Sequence, residues 1–348
     1  MSELLDRATD ARKAVESGRP EAMRDGFGRR IEYLRISVTD KCNLRCVYCM
    51  PEQGLPWLRR QDILDYEEIV EIVRVMAGMG LKRLRITGGE PLVRRDVTEL
   101  VRALHAIPGI DDIALSTNGV LLDDMAADLA AAGISRINLS LDSLVPERVD
   151  AIARRPGSHA RIMAGLNAAE AVGFAPIKIN AVIMRGRNDD ELDAFARITL
   201  DRPWHVRFIE VMPVGENLGV SADEYVPAAE MLGRLRGIGE LEPVPGPPGN
   251  GPATYFRFPD ATGTVGVITP MSHNYCERCN RMRLTADGKL RPCLFGTIET
   301  NLRDPLRAGE PLRPLIEETL RVKPEKHYLV QGSTRGSGGL LALSQVGG

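Results

Sequence analysis

From Ile31 to Met212 short β-rich runs alternate with amphipathic segments, and this alternation restricts the possible folds more than any other feature of the chain. The strand candidates are YLRISVT (33–39), KRLRIT (82–87), DIALST (112–117), RINLSL (136–141), IKINAVI (177–183) and HVRFIEV (205–211). Between them, segments such as YEEIVEIVRVMAG and DDMAADLAAAG return apolar residues at three- and four-residue intervals. A helix between two strands carries the chain back to begin the next strand in the same direction, so the sheet is parallel. Six units predict an α/β fold, a partial (βα)6 TIM-type barrel over residues 31–213. Residues 1–30 match no strand and read as a lead-in. At Glu242 the Pro- and Gly-rich EPVPGPPGNGP reads as a long loop, followed by short strands at TYFRFP and GTVGVIT. Residues 214–348 are therefore expected to form a C-terminal α+β region.

A chain of 348 residues with 43% hydrophobic content can bury one large core or two modest ones. Its formal net charge of -2 gives no global field for nucleic acid or an acidic membrane surface, so any anion site must be built locally. The N-terminus is polar and no window has the apolar length of a membrane span, which predicts a soluble cytoplasmic protein with neither nucleic-acid nor membrane partners. All six cysteines fall into two groups, Cys42, Cys46 and Cys49, then Cys276, Cys279 and Cys293. In a reducing compartment such groups point to metal before disulfides.

The first group, DKCNLRCVYCMPE, directly follows the first strand, at the mouth where barrel proteins build function. Three thiolates can ligate a four-iron cluster and leave one iron open, or hold zinc with a distant fourth ligand. The run resembles the cluster loop of the radical S-adenosylmethionine (SAM) enzymes. That resemblance implies a 4Fe-4S cluster on Cys42, Cys46 and Cys49, with Tyr48 as the aromatic residue before the last cysteine. It also implies SAM chelated to the open iron and cleaved to a 5′-deoxyadenosyl radical. ITGGEPLVRRD resembles the SAM-binding turn of the same enzymes, which implies SAM contacts from Gly88, Gly89 and Glu90, with Ser140 and Met212 toward its sugar and adenine.

The second group, CERCNRMRLTADGKLRPCLF, again offers three thiolates, and a second iron-sulfur cluster with a vacant site is the simplest reading. Its spacing and inner residues resemble the GTP 3′,8-cyclase family of molybdenum cofactor biosynthesis, and the likeness runs from about Tyr33 to the C-terminus. The cations offer a separate argument. Successive strand residues alternate faces, so Arg35 shares a side with Ser37, Arg83 and Arg85 with Thr87, and Lys178 with Asn180, while Arg207 lies on the sixth strand. A buried cation needs a partner, and no carboxylates alternate with these, which describes a polyphosphate pocket inside the barrel. The resemblance implies GTP contacts from Arg35, Arg85, Thr117, Lys178, Arg281, Met282 and Arg283, with guanine at the vacant iron of the second cluster.

The expected activity is conversion of GTP to 3′,8-cyclo-7,8-dihydro-GTP, begun by abstraction of the ribose 3′ hydrogen. Arg281, Arg283, Gly347 and Gly348 are the candidates beside the reacting atoms, the closing Gly-Gly pair by a tail threading into the cavity. Expected partners are GTP, SAM, an external electron donor and, downstream, the cyclic pyranopterin monophosphate synthase, for a monomer or homodimer. A radical SAM peptide modifier with an auxiliary cluster is one alternative, which the lumen cations oppose. A structural zinc or electron-transfer protein is the other, and it explains neither the GGEP turn nor the cation-lined strands.

Overall fold

The computed structural model describes residues 22–212, 219–249, 251–327 and 343–347. One 12-stranded sheet forms its frame. β1 (Tyr33–Ser37), β2 (Arg83–Thr87), β3 (Asp112–Thr117), β4 (Arg136–Ser140), β5 (Ile177–Ile183) and β6 (His205–Glu210) lie in chain order, each parallel to the next. The helices α1 (Tyr66–Gly78), α2 (Val97–His105), α3 (Leu122–Ala132), α4 (Pro146–Ala153), α5 (Ser158–Ala171) and α6 (Leu192–Asp201) return the chain between them. Local chemistry starts α1: the Asp65 carboxylate accepts from the Glu68 amide and the Glu68 carboxylate accepts from the Asp65 amide. Its Ile69, Ile72, Val73 and Met76 recur on one face and are buried.

The last third of the chain adds α7 (Ala228–Arg236), β7 (Glu242–Val244), β8 (Thr254–Arg257), β9 (Thr264–Ile268), β10 (Arg281–Leu284), β11 (Lys289–Arg291) and β12 (Thr300–Asn301). Beyond these lie α8 (Arg303–Arg307), α9 (Arg313–Arg321) and the short α10 (Leu343–Val346). β9 continues the parallel array beyond β6, and β10 does so beyond β1. The expected C-terminal strands thus join both edges of the barrel sheet rather than forming a sheet of their own. β10, the RMRL inside the second cysteine group, is absent from the strand candidates above. It is four residues long and shows no alternation that its flanking cysteines and turn would not hide. Among the described residues no helix is long and apolar enough to cross a membrane.

The strands have two different faces. Leu34, Ile36, Leu84, Ile86, Leu139 and Ile179 point away from the lumen into the core beneath the helices and are fully buried. The alternate positions face the lumen and are mostly polar, so the barrel interior is not a packed apolar core. Register stacks these positions into rows. Arg283, Arg35 and Arg85 are neighbours across β10, β1 and β2; Ser116, Asn138, Lys178 and His205 form a second row, and Ser140, Asn180 and Arg207 a third.

Candidate active site

Both cysteine groups open on one cavity of about 240 Å³, lined by Cys42, Cys46 and Cys49 at the mouth and by Tyr275, Arg281 and Leu294 from the second group. The first loop is held by its main chain. Val47 donates to the Ile152 carbonyl at the end of α4 at 3.0 Å, and Cys49 donates to the Cys46 carbonyl at 2.9 Å. The Tyr48 hydroxyl donates to Asp142 at 2.8 Å, and the other Asp142 oxygen accepts from the Val182 amide at 2.8 Å. Burial pushes the Asp142 carboxyl up to about 6, against these two bonds. Asp142 therefore fastens the cysteine loop to β5.

The GGEP turn lies directly against that loop. Gly89 donates to the Thr39 carbonyl at 2.7 Å and Glu90 to the Lys41 carbonyl at 2.8 Å. A Cβ at Gly89 would come within 2.4 Å of the Lys41 carbonyl oxygen, so only glycine permits this approach. The Glu90 carboxylate accepts from the amides of Leu92 and Asn118, at 3.1 and 2.7 Å, and from the Thr117 hydroxyl at 2.8 Å. It joins the turn to the end of β3, and burial pushes it up to about 7. Thr117 lines the cavity with its hydroxyl already committed to Glu90. Ser140 and Met212 also line the cavity.

Deeper in the lumen stand Arg35, Arg85, Arg207 and Arg283. Arg85 is 3% exposed; its Nε donates to the Tyr33 hydroxyl and its Nη1 to Ser116 at 3.4 Å. Burial pushes the Tyr33 phenol up, but Arg85, Arg35 and Arg281 outweigh it and bring it down to about 8. Burial holds Arg283 down at about 10, with Arg281 adding to the effect. Lys178, 2% exposed, donates to the Pro248 carbonyl at 2.6 Å. Burial, then Arg207 and Arg136, lower its ammonium to about 6. Arg207 Nε is buried without a hydrogen-bond partner. Such crowding of cations, with one lysine nearly discharged by its neighbours, is an electrostatic debt that an anionic ligand would cancel.

Two segments reach into this lumen. Gly249, at φ +124, lies over Arg136 and Lys178, and Gly251 and Pro252 line the cavity beside Arg207. The Gly347 carbonyl accepts from Arg35 Nε at 3.2 Å and from Arg283 Nη1. Gly347 has φ +69, and a Cβ there would meet the Thr87 methyl at 2.7 Å. Gly348 lies outside the described residues. Met282 is the one expected contact whose side chain points elsewhere: it opposes Leu34 and is 1% exposed in the core. Being one residue out of phase with Arg281 and Arg283, it faces the opposite side of the strand.

Sequence reading passed over Tyr33, Arg136, Asp142 and Ser344. Tyr33 precedes Arg35 by two and Arg136 precedes Ser140 by four, so the same alternation would have found them. Asp142 is two beyond Ser140. Ser344 carries no local signal.

None of the six cysteines forms a disulfide. In the first triad burial pushes Cys42 up to about 11 and Cys49 up to about 12, and the thiols raise one another. In the second, burial also acts upward on Cys279, but Lys323 and Arg281 bring it down to about 7. Among the described residues no three His, Cys, Asp or Glu side chains converge on a position for a single ion. Zinc needs its ligands gathered at ~2.3 Å around one point, whereas a cluster spreads them over several irons. The donor sets therefore fit two iron-sulfur clusters with three thiolates each.

The Radical SAM superfamily pattern matches residues 36–198, and the Molybdenum Cofactor Synthesis C pattern matches residues 204–329. A GTP 3′,8-cyclase of Moorella thermoacetica is 49% identical over 329 residues, covering 94% of this chain and all of that protein. Another, of Pelotomaculum thermopropionicum, is 51% identical over 314 residues, covering 89% and 96%. Among solved structures, Streptococcus suis SuiB bound to S-adenosylmethionine superposes with a TM-score of 0.58 at 15% identity, over 82% of this chain and 66% of that one, a likeness of fold. With near-complete coverage at close to half identity, the chain belongs to the GTP 3′,8-cyclase family, within the radical SAM superfamily and its two 4Fe-4S clusters.

Proposed function

We propose that this protein converts GTP to (8S)-3′,8-cyclo-7,8-dihydroguanosine 5′-triphosphate, the first step of molybdenum cofactor biosynthesis. The observation that carries this reading is that two cysteine triads and a set of buried cations open on one cavity. Cys42, Cys46 and Cys49 hold the first cluster and Cys276, Cys279 and Cys293 the second. Bound together, the first cluster and SAM supply the 5′-deoxyadenosyl radical that starts the reaction. Tyr48, Gly88, Gly89, Glu90, Ser140 and Met212 surround SAM. Glu90 acts mainly by holding its turn against β3, and Asp142 by holding Tyr48.

Arg35, Arg85, Lys178, Arg207, Arg281 and Arg283 bind GTP, with Thr117 at the rim. Their fixed charges orient the nucleotide so that the ribose 3′ carbon faces SAM and guanine carbon 8, which converts distance into a short intramolecular path. Gly347 closes one side and, lacking a side chain, leaves room for the ribose. An external donor supplies electrons, and the product passes to the synthase that makes the cyclic pyranopterin. Cavity polarity favours this reading over peptide modification, because a polycationic lumen suits a triphosphate.

The test is anaerobic reconstitution with iron and sulfide, followed by GTP, SAM and reductant. Cyclised nucleotide should form, and GTP deuterated at the ribose 3′ position should pass its label to 5′-deoxyadenosine. Tight stoichiometric zinc with no iron-sulfur absorbance, or unlabelled deoxyadenosine during cyclisation, would sink the reading.

A further inference from the structure

Two buried cations flank the second cysteine triad, and their charges are balanced differently. Arg29 donates through Nη1 to the Cys276 carbonyl at 2.8 Å and to the Glu325 carbonyl at 2.7 Å, and through Nη2 to the Pro324 carbonyl at 2.6 Å. Its Nε is paired with Asp25 at 2.6 Å, so this guanidinium has a counter-charge inside the protein. Lys323, just beyond α9, has none. It is 3% exposed, and its Nζ donates to the Arg281 carbonyl at 3.0 Å and to the Pro292 carbonyl. Among the described residues it forms no ion pair with a carboxylate.

Those two carbonyls are informative. Arg281 lies two residues after Cys279 and Pro292 one before Cys293, so a single ammonium ties together the two arms that carry the triad. An ammonium has three donors, and two are spent on main chain. A cation buried without a counter-charge is strongly unfavourable, and nothing in the central cavity relieves Lys323, which does not line it. A 4Fe-4S core held by three thiolates carries net negative charge, which grows on reduction.

We propose that Lys323 is the buried counter-ion of the second cluster, a positioning residue that clamps the two arms of the triad and raises that cluster's reduction potential. The idea rests on the reading of Cys276, Cys279 and Cys293 as cluster ligands. A nearby fixed cation stabilises the more negative, reduced form, so its removal moves the potential downward.

The experiment compares reconstituted wild-type protein with Lys323→Arg, Lys323→Gln and Lys323→Met, counting iron per chain and titrating each cluster's EPR signal against potential. Lys323→Arg should stay near wild type. Lys323→Gln, which keeps donors without charge, should hold the second cluster at a more negative potential. Lys323→Met should do the same or lose that cluster, with the first cluster's iron and potential unchanged. Wild-type iron and second-cluster potential in both Gln and Met variants would overturn the proposal. Loss of first-cluster iron alongside the second would also overturn it, by showing a role in folding. A wild-type protein that assembles only one cluster would instead remove the ligand assignment beneath it.

Discussion

Replacing Lys178 with methionine keeps the length of the side chain and removes its ability to charge, which isolates the electrostatics of the lumen. In the free protein Lys178 sits near pKa 6, so at about pH 7.5 all but ~3% of molecules carry it neutral. A triphosphate within reach reverses the balance that burial, Arg207 and Arg136 impose, and the lysine takes up a proton as GTP binds. Recharging it over ~1.5 pH units costs about 2 kcal/mol, at ~1.4 kcal/mol per unit. The sign follows: a group protonated only in the complex makes binding tighter as pH falls toward 6 and weaker as pH rises. Affinity should therefore drop about tenfold between roughly pH 7.5 and 8.5, a window in which the terminal phosphate, with its last pKa of ~6, is already ionised. Anaerobic calorimetry of reconstituted protein in two buffers of different ionisation enthalpy reads the proton directly, and about one should be absorbed per GTP. Lys178→Met should bind more weakly at the lower pH, with little pH dependence and no proton uptake. A flat wild-type affinity with no buffer-dependent heat would refute the reasoning, because Lys178 would then be charged before GTP arrives.

Reconstituted protein should hold about eight irons per chain, and Cys42→Ala should lose SAM cleavage while Cys293→Ala retains some cleavage without product; iron assay and chromatography of deoxyadenosine decide it. Gly89→Ala forces a methyl against the Lys41 carbonyl and should cost first-cluster iron and SAM binding while circular dichroism stays close to wild type. Glu90→Ala strands two amides and a hydroxyl at ~1–3 kcal/mol each, so denaturant unfolding should show a loss of about 3 kcal/mol or more. A chain ending at Val346 removes the carbonyl that Arg35 and Arg283 share; cyclisation should fall more than iron content or thermal stability, and unchanged product formation would return the tail to a passive role.

The barrel was legible because its strands obey a period of two and its helices a period near four, and because the polar phase of each strand faces one lumen. Arg35, Arg85, Lys178 and Arg207 could be placed on that phase before any coordinates. Met282 shows the limit of a motif read without phase: it lies within the same short run as Arg281 and Arg283, yet the pleat turns it into the core. Lys323 and Arg29 were invisible for another reason. Their importance lies in which main-chain carbonyls they meet, over separations of up to 296 residues, and no local pattern encodes that. The 245–252 loop, bare of any motif, matters through its backbone, since Pro248 offers a carbonyl and Gly249 the absence of a side chain.

The pairing of β1 with β10 has a consequence for how the protein is made. Tyr33 is among the first strand residues to leave the ribosome, and its parallel neighbour Arg281 among the last. Throughout most of translation, β1 exposes a row of unpaired amides and carbonyls to the cytosol, the kind of edge that recruits other strands. A nascent chain must hold that edge open until β10 emerges, and contacts so distant in sequence form slowly. Messages truncated before codon 281 should therefore yield aggregates that occupy chaperones, rather than a soluble six-stranded fragment.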